Sequence, residues 1–468
     1  MLRSASIIGQ NRWTLYEKTR REKLRFPAAA FPDPLCKGKA NHSQNPAYMK
    51  TKQIIVAAGI ACAALITSYS GRADIVTDWN EIAETVIRTA STPPPPPPLQ
   101  VRALATVNAA IYDAVNGIAR KHQPYFVTDA APPGARAEAA AVQAAYTALK
   151  GLFPSQSALL DQKLAQSLAS IPGHKGKSQS IAHGRAWGEH VAQAILAWRA
   201  TDGLSTPVPP YFGGTAPGQW RSIPDGTLPG ALPQFATLVP FTMSSSSQFR
   251  PGPPPALGSA KYAADVNEVK AIGRVDSAIR TATQTQLSLL WAASGPLEQS
   301  AVARSLVPQD YKLVETARLF ALMNFAACDG MIAGFDAKYH YGFWRPFHAI
   351  RLADTDGNAA TAPDPLWTSL IPVPNHPEYI STHSTVTGAT MRVLALLLGD
   401  ATPFTLSSPG LPGVTATYQR FSDAAVEVGL SRTWGGIHFR TACETGRGVG
   451  EYIADQAVAN YLQPSDDN

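Results

Sequence analysis

Positively charged and imidazole side chains recur in three short stretches of the last third of the chain. The first stretch, K-Y-H-Y-G-F-W-R-P, carries Lys338 and Arg345 seven residues apart. If the segment is helical, seven residues make two turns and place both cations on one face. Two adjacent like charges repel each other, and a shared anionic ligand would relieve that repulsion. A solvated basic face is the alternative interpretation.

The second stretch, P-E-Y-I-S-T-H-S, leads directly into an apolar helix. Ser381 has the residue type and position of an N-cap, so Thr382 and His383 would occupy the first helical positions. The unpaired N–H groups and the dipole at a helix start favour an oxyanion. His383 could exchange a proton there near neutral pH. An ordinary capped helix explains the same pattern.

The third stretch, S-R-T-W-G-G-I-H-F-R, carries Arg432 and His438 six residues apart. The Gly-Gly pair between them permits a bend that could turn both side chains toward one point. A polar loop between two helices is the alternative. Taken together, the three stretches predict one site for a small tetrahedral oxyanion.

The elements that must position these groups are helical, and we expect an all-α fold. It would be a large helical bundle with the oxyanion site between helices of the C-terminal half. Apolar residues recur at three- and four-residue steps, and no segment alternates as a half-buried strand would. Helices are predicted at 78–90, 99–118, 136–152, 158–171, 179–200, 262–273, 283–294, 311–335, 384–398, 417–430 and 444–462.

Residues 201–259 are rich in Pro, Gly and Ser and show no periodicity. A stretch of this length is uncommon inside a compact domain, so we expect a wandering surface segment or a lid over a site. A mobile loop without a role is the alternative.

The N-terminal part predicts export. Residues 49–73 have the charged, apolar and small-residue parts of a secretory signal, with cleavage expected after Ala73. Residues 1–48 are unpatterned, as a misplaced start codon would explain, and residues 74–468 would form a single domain. A cytosolic protein with an N-terminal tail is the alternative. We expect no stable membrane span, because the body lacks another run of eighteen apolar residues.

Charge and cysteine content limit the other possibilities. The net charge of +6 comes from the first 73 residues, which carry 12 basic and 3 acidic side chains. The remaining chain is mildly acidic, which argues against a nucleic-acid partner. In the body, Cys328 and Cys443 could pair or remain two buried thiols. His183 and His190 share a helix face, but a structural role is favoured over a metal site.

The three stretches resemble the signature motifs of the type 2 phosphatidic acid phosphatase superfamily, and particularly of its vanadium-dependent haloperoxidase branch. Neighbouring segments are also similar to bacterial members of that branch: V-N-A-A-I-Y-D-A-V-N-G-I at 107–118, F-W-R-P-F-H-A-I-R at 343–351 and G-G-I-H-F at 435–439. The resemblance extends from about residue 74 to the C-terminus, and its specific motifs occupy 338–440.

The resemblance implies a peroxidase that uses vanadate, hydrogen peroxide, a halide and an organic acceptor. His438 would ligate vanadium, His383 would be the acid and base, and Lys338 would polarise the bound peroxide. The resemblance further implies that a histidine at position 376 favours bromide or iodide, although His376 could simply cap a turn. Vanadate would be bound by Lys338, Arg345, Ser381, Thr382, His383, Arg432 and His438.

Two departures from the family pattern bear on function. Thr382 stands where the family usually has glycine, so a side chain would lie where backbone should approach the anion. Ala442, four residues after His438, stands where many members have an aspartate that orients the histidine. Asp329 or Asp423 could replace that group. The alternatives are a phosphatase or phosphotransferase with His438 as nucleophile, and an oxyanion-binding protein without turnover.

Overall fold

A computed structural model describes residues 74–172 and 177–465, and helices are the main regular structure of these residues. The proposed leader at 1–48 and signal at 49–73 lie outside the described residues. The helices are α1 Ile75–Thr89, α2 Pro97–Ala119, α3 Ala137–Leu152, α4 Ser157–Ser170, α5 Lys177–Ala200, α6 Ala260–Ile272, α7 Ala282–Ala293, α8 Pro296–Leu306, α9 Leu313–Tyr341, α10 Pro346–Arg351, α11 Thr382–Leu398, α12 Phe421–Trp434 and α13 Arg440–Asn460. The predicted all-α class is confirmed.

Helix boundaries follow from residues that suit helix ends. Asp74 caps α1, because its carboxylate accepts hydrogen bonds from the N–H groups of Val76 and Thr77. Proline begins α2, α8 and α10, where its missing N–H costs no helical hydrogen bond. The helix α8 was not predicted; it begins at Pro296, at the first helical position.

The C-terminal half is built around α11, which packs on α13, α9 and α12. Gly446 lets α13 approach the start of α11 closely, since a Cβ at that position would lie 2.6 Å from the carbonyl oxygen of Ser381. In turn, α9 packs on α2, and α2 joins α3 and α5 in the same core. The start of α11 is therefore enclosed by neighbouring helices.

The expectation that the chain has no strands is wrong for one short segment. Strands β1 (Phe404–Ser407) and β2 (Thr415–Tyr418) form an antiparallel hairpin between α11 and α12. As a result, α12 begins at Phe421 and not near residue 417. Each strand has four residues, which is too short for an alternating pattern to be visible in the sequence.

Helix α9 is the central helix of the core. Among the described residues it alone is long and apolar enough to cross a membrane, by length and composition. Its apolar window is completely buried inside the protein, as in the core helix of a globular domain. Cys328 on α9 and Cys443 on α13 are both buried free thiols, so the possible disulfide between them does not form.

Residues 201–259 cross the surface of the bundle without regular helix except for a 3-10 turn at Pro233–Thr237. Asp329 on α9 anchors the segment by accepting hydrogen bonds from the N–H groups of Phe241, Thr242 and Met243, at 2.6, 2.6 and 3.1 Å. Part of the segment, Ala231 and Leu232, lines a cavity. The expected lid over a site stays a prediction.

Candidate active site

Lys338 and Arg345 come together in a way the sequence did not indicate. They do not share a helix, because α9 ends at Tyr341 and Gly342 adopts a left-handed conformation with φ of 56°. A side chain there would be strained, and its Cβ would lie 2.5 Å from Oη of Tyr211. Arg345 is instead the N-cap residue of α10. A chain reversal, not two helical turns, brings the two cations together.

The ammonium group of Lys338 is fully buried and supports the turn that precedes α11. Nζ donates hydrogen bonds to the carbonyl oxygens of Pro377, Glu378 and Ile380, at 3.0, 2.8 and 2.6 Å. Burial lowers the pKa of Lys338 well below its ordinary value, and the charge of Arg345 lowers it further. Three carbonyl partners equal the number of protons on an ammonium group.

The guanidinium of Arg345 connects the first stretch with the third and with His376, the residue that precedes the second stretch. Its Nη2 lies 2.9 Å from Nδ1 of His376, and its Nη1 lies 3.1 Å from Nε2 of His438 and 2.8 Å from the carbonyl oxygen of Ile437. Because a guanidinium only donates, both ring nitrogens must be acceptors. Burial lowers the pKa of Arg345 to about 10.

His438 has a buried carboxylate as its second partner. Its Nδ1 lies 2.8 Å from Oε1 of Glu378, which also accepts a hydrogen bond from the N–H of Phe439 at 3.0 Å. Since Nε2 is an acceptor, the proton of the neutral ring is on Nδ1. Burial raises the pKa of Glu378 to about 7, although the charges of Lys338 and Arg345 act in the opposite direction.

Glu378 therefore occupies the orienting role that Ala442 cannot fill. The two substitutes considered from the sequence are wrong, because Asp329 holds residues 241–243 and Asp423 is exposed in the first turn of α12. One signal could have identified Glu378: it is the only acidic residue in the three stretches.

Ser381 caps α11, as predicted. Its Oγ accepts a hydrogen bond from the N–H of Ser384 at 3.4 Å, and the first helical bond runs from Thr385 N to Ser381 O. The N–H groups of Thr382 and His383 precede that bond, at the point where a helix start presents free donors. The methyl group of Thr382 packs over Gly334 of α9, where a Cβ would lie 2.5 Å from it.

The His383 imidazole is half-buried, and cations from more than one stretch act on it. Burial lowers the pKa of His383 to about 3. The charge of Arg432 lowers it next, followed by those of Lys338 and Arg345, whereas a hydrogen bond to the backbone of Ser294 opposes them. All three cations therefore lie close enough to His383 for their charges to lower its pKa.

Arg432, in the last turn of α12, is the cation with the largest effect on His383. Its Nη2 donates to the carbonyl oxygen of Ser288 at 3.1 Å and its Nε to Oγ of Ser431 at 3.1 Å. Burial lowers the pKa of Arg432 to about 10. Gly435 and Gly436 follow and reverse the chain, with φ of 80° at Gly436, before His438. The bend expected from the Gly-Gly pair is present.

A cavity of about 270 Å³ opens against these groups. His376, Thr382, His383 and His438 line its polar end, while Lys338, Arg345 and Arg432 lie behind this lining. The remaining lining is mostly apolar and comes from α2, α8, α9, α11 and residues 231–232. His183 and His190 lie elsewhere, paired with the carbonyl oxygen of Pro133 and with Asp129.

The residues present fit a tetrahedral oxyanion. Three buried cations face a single buried carboxylate, Glu378, and none of the three belongs to an ion pair within the described residues. Burying unpaired charge is unfavourable, so an anion would stabilise the cluster. Within residues 74–172 and 177–465, no three His, Cys, Asp or Glu side chains converge as a cation site would require. The acceptor nitrogen of His438, Nε2, receives a hydrogen bond from Arg345, and a bound anion whose central atom takes a nitrogen ligand would have to replace that bond.

Comparison with known proteins matches the part of the chain that contains the candidate site. Residues 318–466 match the family model for the VCPO second helical-bundle domain, and this range contains all three stretches. The vanadium chloroperoxidase of Curvularia inaequalis is 28% identical over 176 residues, which are 30% of this chain and 28% of that protein. The match thus spans well under half the length of the curated relative.

Two solved structures share the fold. A bacterial vanadium-dependent iodoperoxidase has a TM-score of 0.70 at 22% identity, covering 85% of this chain and 99% of the other. An apo-type bacterial vanadium-dependent chloroperoxidase has a TM-score of 0.61 at 19% identity, covering 77% and 92%. The chain is therefore similar to the vanadium haloperoxidases: residues 318–466 match their second helical-bundle domain, and the described residues share the fold of the two solved structures.

Proposed function

We propose that this chain is a vanadate-dependent haloperoxidase that oxidises bromide or iodide with hydrogen peroxide to a hypohalous species. The observation that supports it most directly is the tautomer of His438. With its Nδ1 proton held by Glu378, the Nε2 lone pair faces a group of buried cations that have no carboxylate partner of their own. This arrangement suits an oxyanion whose central atom accepts a nitrogen ligand.

The residues that would hold vanadate are those of the three stretches. When bound, vanadate would supply a Lewis-acidic centre that activates peroxide toward a halide. His383 would accept and return a proton at the edge of the cavity, and the buried cations would stabilise the developing charge. The groups that would contribute are Lys338, Arg345, Ser381, Thr382, His383, Arg432 and His438.

The halide preference is the finer part of the proposal. His376 lines the cavity, and its Nδ1 accepts a hydrogen bond from Arg345. The family resemblance associates a histidine at this position with bromide or iodide, and one solved relative is an iodoperoxidase, whereas another is a chloroperoxidase. Initial rates with iodide, bromide and chloride at equal concentration test this preference directly.

A phosphatase or phosphotransferase is the second candidate, and one observation favours it. The carboxylate of Glu378 orients His438, which is the arrangement that a nucleophilic histidine requires. The missing aspartate at position 442 therefore does not argue against phosphate-ester chemistry. His383 would then protonate the leaving group.

One paired assay separates the candidates. The purified protein would receive orthovanadate, peroxide and bromide with a brominatable dye, and in parallel p-nitrophenyl phosphate without vanadate. Vanadate-dependent bromination that disappears in His438→Ala supports the haloperoxidase, and ester hydrolysis supports the phosphatase. Silence in both assays, with phosphate still bound, would indicate a binding protein without turnover.

Export is also part of the proposal, on the pattern of residues 49–73 alone. N-terminal sequencing of protein secreted from an expressing bacterium is expected to begin near Asp74. An intact Met1 or Met49 in a cytoplasmic fraction would contradict it.

A further inference from the structure

The cavity has a second wall whose chemistry differs from that of the oxyanion site. The prolines at 96–98, together with Leu232, Met331, Phe335 and Val386, form most of it. No lysine, arginine, aspartate or glutamate belongs to the cavity lining within the described residues. A concave apolar surface with a few polar groups is the usual form of a site for a small organic molecule.

The size of the cavity limits the ligand. Its volume is about 270 Å³, whereas an apolar cavity of roughly 150 Å³ is enough to bind benzene. One fused pair of rings therefore fits.

The polar groups on this wall indicate one further property. Gln299 is buried, and its Nε2 donates to Oγ1 of Thr387 at 2.8 Å, while its Oε1 has no hydrogen-bond partner among the residues that the structure describes. A buried acceptor without a partner is unfavourable, and a ligand donor would satisfy it. A ring that carries one O–H or N–H group meets this requirement.

We propose that the apolar wall and Gln299 bind a neutral aromatic molecule with a single hydrogen-bond donor, of the phenol or indole class, beside the oxyanion. The ligand is neutral because the lining carries no charged side chain and an anion would already offset the cations behind it. The same cavity contains His383 and His438, so the ring lies next to the oxidation chemistry.

The consequence for the reaction rests on the proposed function. Peroxide, a halide ion and a proton give hypohalous acid and water. The hypohalous acid then transfers halogen to a ring carbon, and the proton lost from that carbon leaves with the hydroxide as water. Halogenation of a bound ring inside the cavity would be position-selective, whereas released hypohalous acid would react at every activated carbon.

The first test measures binding and needs no vanadate. Isothermal titration of the purified protein with indole is expected to give saturable binding, with 1-methylindole at least fivefold weaker because it lacks the donor. Gln299→Met should remove that difference. Absence of indole binding, or equal affinity for the two ligands in the unmodified protein, would overturn the proposal.

A matched pair of variants tests the location. Ala231 lines the cavity mouth and is exposed, so Ala231→Trp should fill the opening and weaken indole binding at least tenfold. Ala216 is an equally exposed alanine of the same segment that does not line the cavity, and Ala216→Trp should bind indole normally. Equal loss in both variants, or in neither, would contradict the assigned site.

Triiodide formation from iodide and peroxide, measured with vanadate and no organic molecule, tests the haloperoxidase proposal independently of the aromatic site. Its absence alongside normal indole binding would reject the haloperoxidase and retain the aromatic site. Its presence without indole binding would do the opposite.

Discussion

Nδ1 of His438 lies 2.8 Å from Oε1 of Glu378, and the two residues are 60 positions apart in the chain. The same oxygen accepts the N–H of Phe439, so the carboxylate holds both the ring and the backbone next to it. This relationship fixes which nitrogen of His438 is available to a bound group. An outer partner of this kind controls ligand orientation and basicity.

Removing the carboxylate should weaken anion binding. We expect Glu378→Ala to reduce vanadate and phosphate affinity by about 10- to 100-fold, the range found for outer partners of metal ligands. Glu378→Gln should lose less, because the amide oxygen can still accept from Nδ1. Equilibrium dialysis of vanadate and titration with phosphate measure both variants. Glu444→Gln, an exposed glutamate on α13, is the control; unchanged affinity in Glu378→Ala would contradict the role.

Anion binding should be coupled to proton uptake by His383. Without an anion, burial and the neighbouring cations hold the pKa of this imidazole at about 3, so it is neutral at neutral pH. A bound anion offsets the cations and raises that pKa, and a group whose pKa rises on binding takes up protons. Affinity for sulfate, a tetrahedral anion whose charge is constant in this range, should therefore increase as pH falls from about 8 to about 6.

Calorimetric titration in buffers of different ionisation enthalpy measures the number of protons taken up. His383→Gln should reduce that number at constant pH. If the variant takes up as many protons as the unmodified protein, another group accounts for the coupling. If affinity increases with pH, the electrostatic account of the site is wrong.

The contact between Gly334 and Thr382 should show strong non-additivity. A Cβ at Gly334 would lie 2.5 Å from Cγ2 of Thr382, and overpacking of this kind costs about 1–3 kcal/mol. Gly334→Ala is therefore expected to destabilise the protein. In a Thr382→Ser background the methyl is absent, and the same change should become neutral or stabilising, since alanine is favoured over glycine within a helix by about 1 kcal/mol.

Denaturant unfolding of the four proteins in this cycle gives the coupling energy. Additive effects would mean that the two residues do not limit each other. The sign of the coupling matters for function, because it tests whether the Thr382 side chain packs on α9 rather than filling the position where an anion would lie.

The anchor at Asp329 should contribute to stability and not to anion binding. Asp329→Asn would place an amide NH₂ group against backbone donors, and we expect a loss of about 3 kcal/mol in the free energy of unfolding. Hydrogen exchange at residues 241–243 should accelerate. Asp423→Asn, at an exposed position, is the matched control. A large fall in phosphate affinity with unchanged stability would restore Asp329 as a partner of the active site.

The chemistry of the site could be predicted from the sequence because cation and imidazole spacing is local information. The partner of His438 could not, since the contact with Glu378 depends on how two distant segments pack. The sequence predicted that Lys338 and Arg345 lie close together because they share a helix face. They do lie close together, but Gly342 ends the helix between them and a chain reversal brings them together. Helix α8 was missed because it is short and begins with a proline. The hairpin was missed because four residues are too few to show an alternating pattern.

All three N–H groups of the Lys338 ammonium already donate hydrogen bonds to carbonyl oxygens of residues 377–380, so none is free for a further acceptor. An oxyanion that takes one of these protons must release one carbonyl, and that carbonyl belongs to the turn that carries Glu378 and leads to Ser381. An anion bound by Lys338 would therefore remove one hydrogen bond from the turn. The same anion would accept hydrogen bonds at the start of α11, where the turn ends. Infrared difference spectra of the backbone carbonyls on adding phosphate would record that exchange as a frequency shift, and Lys338→Met would abolish it.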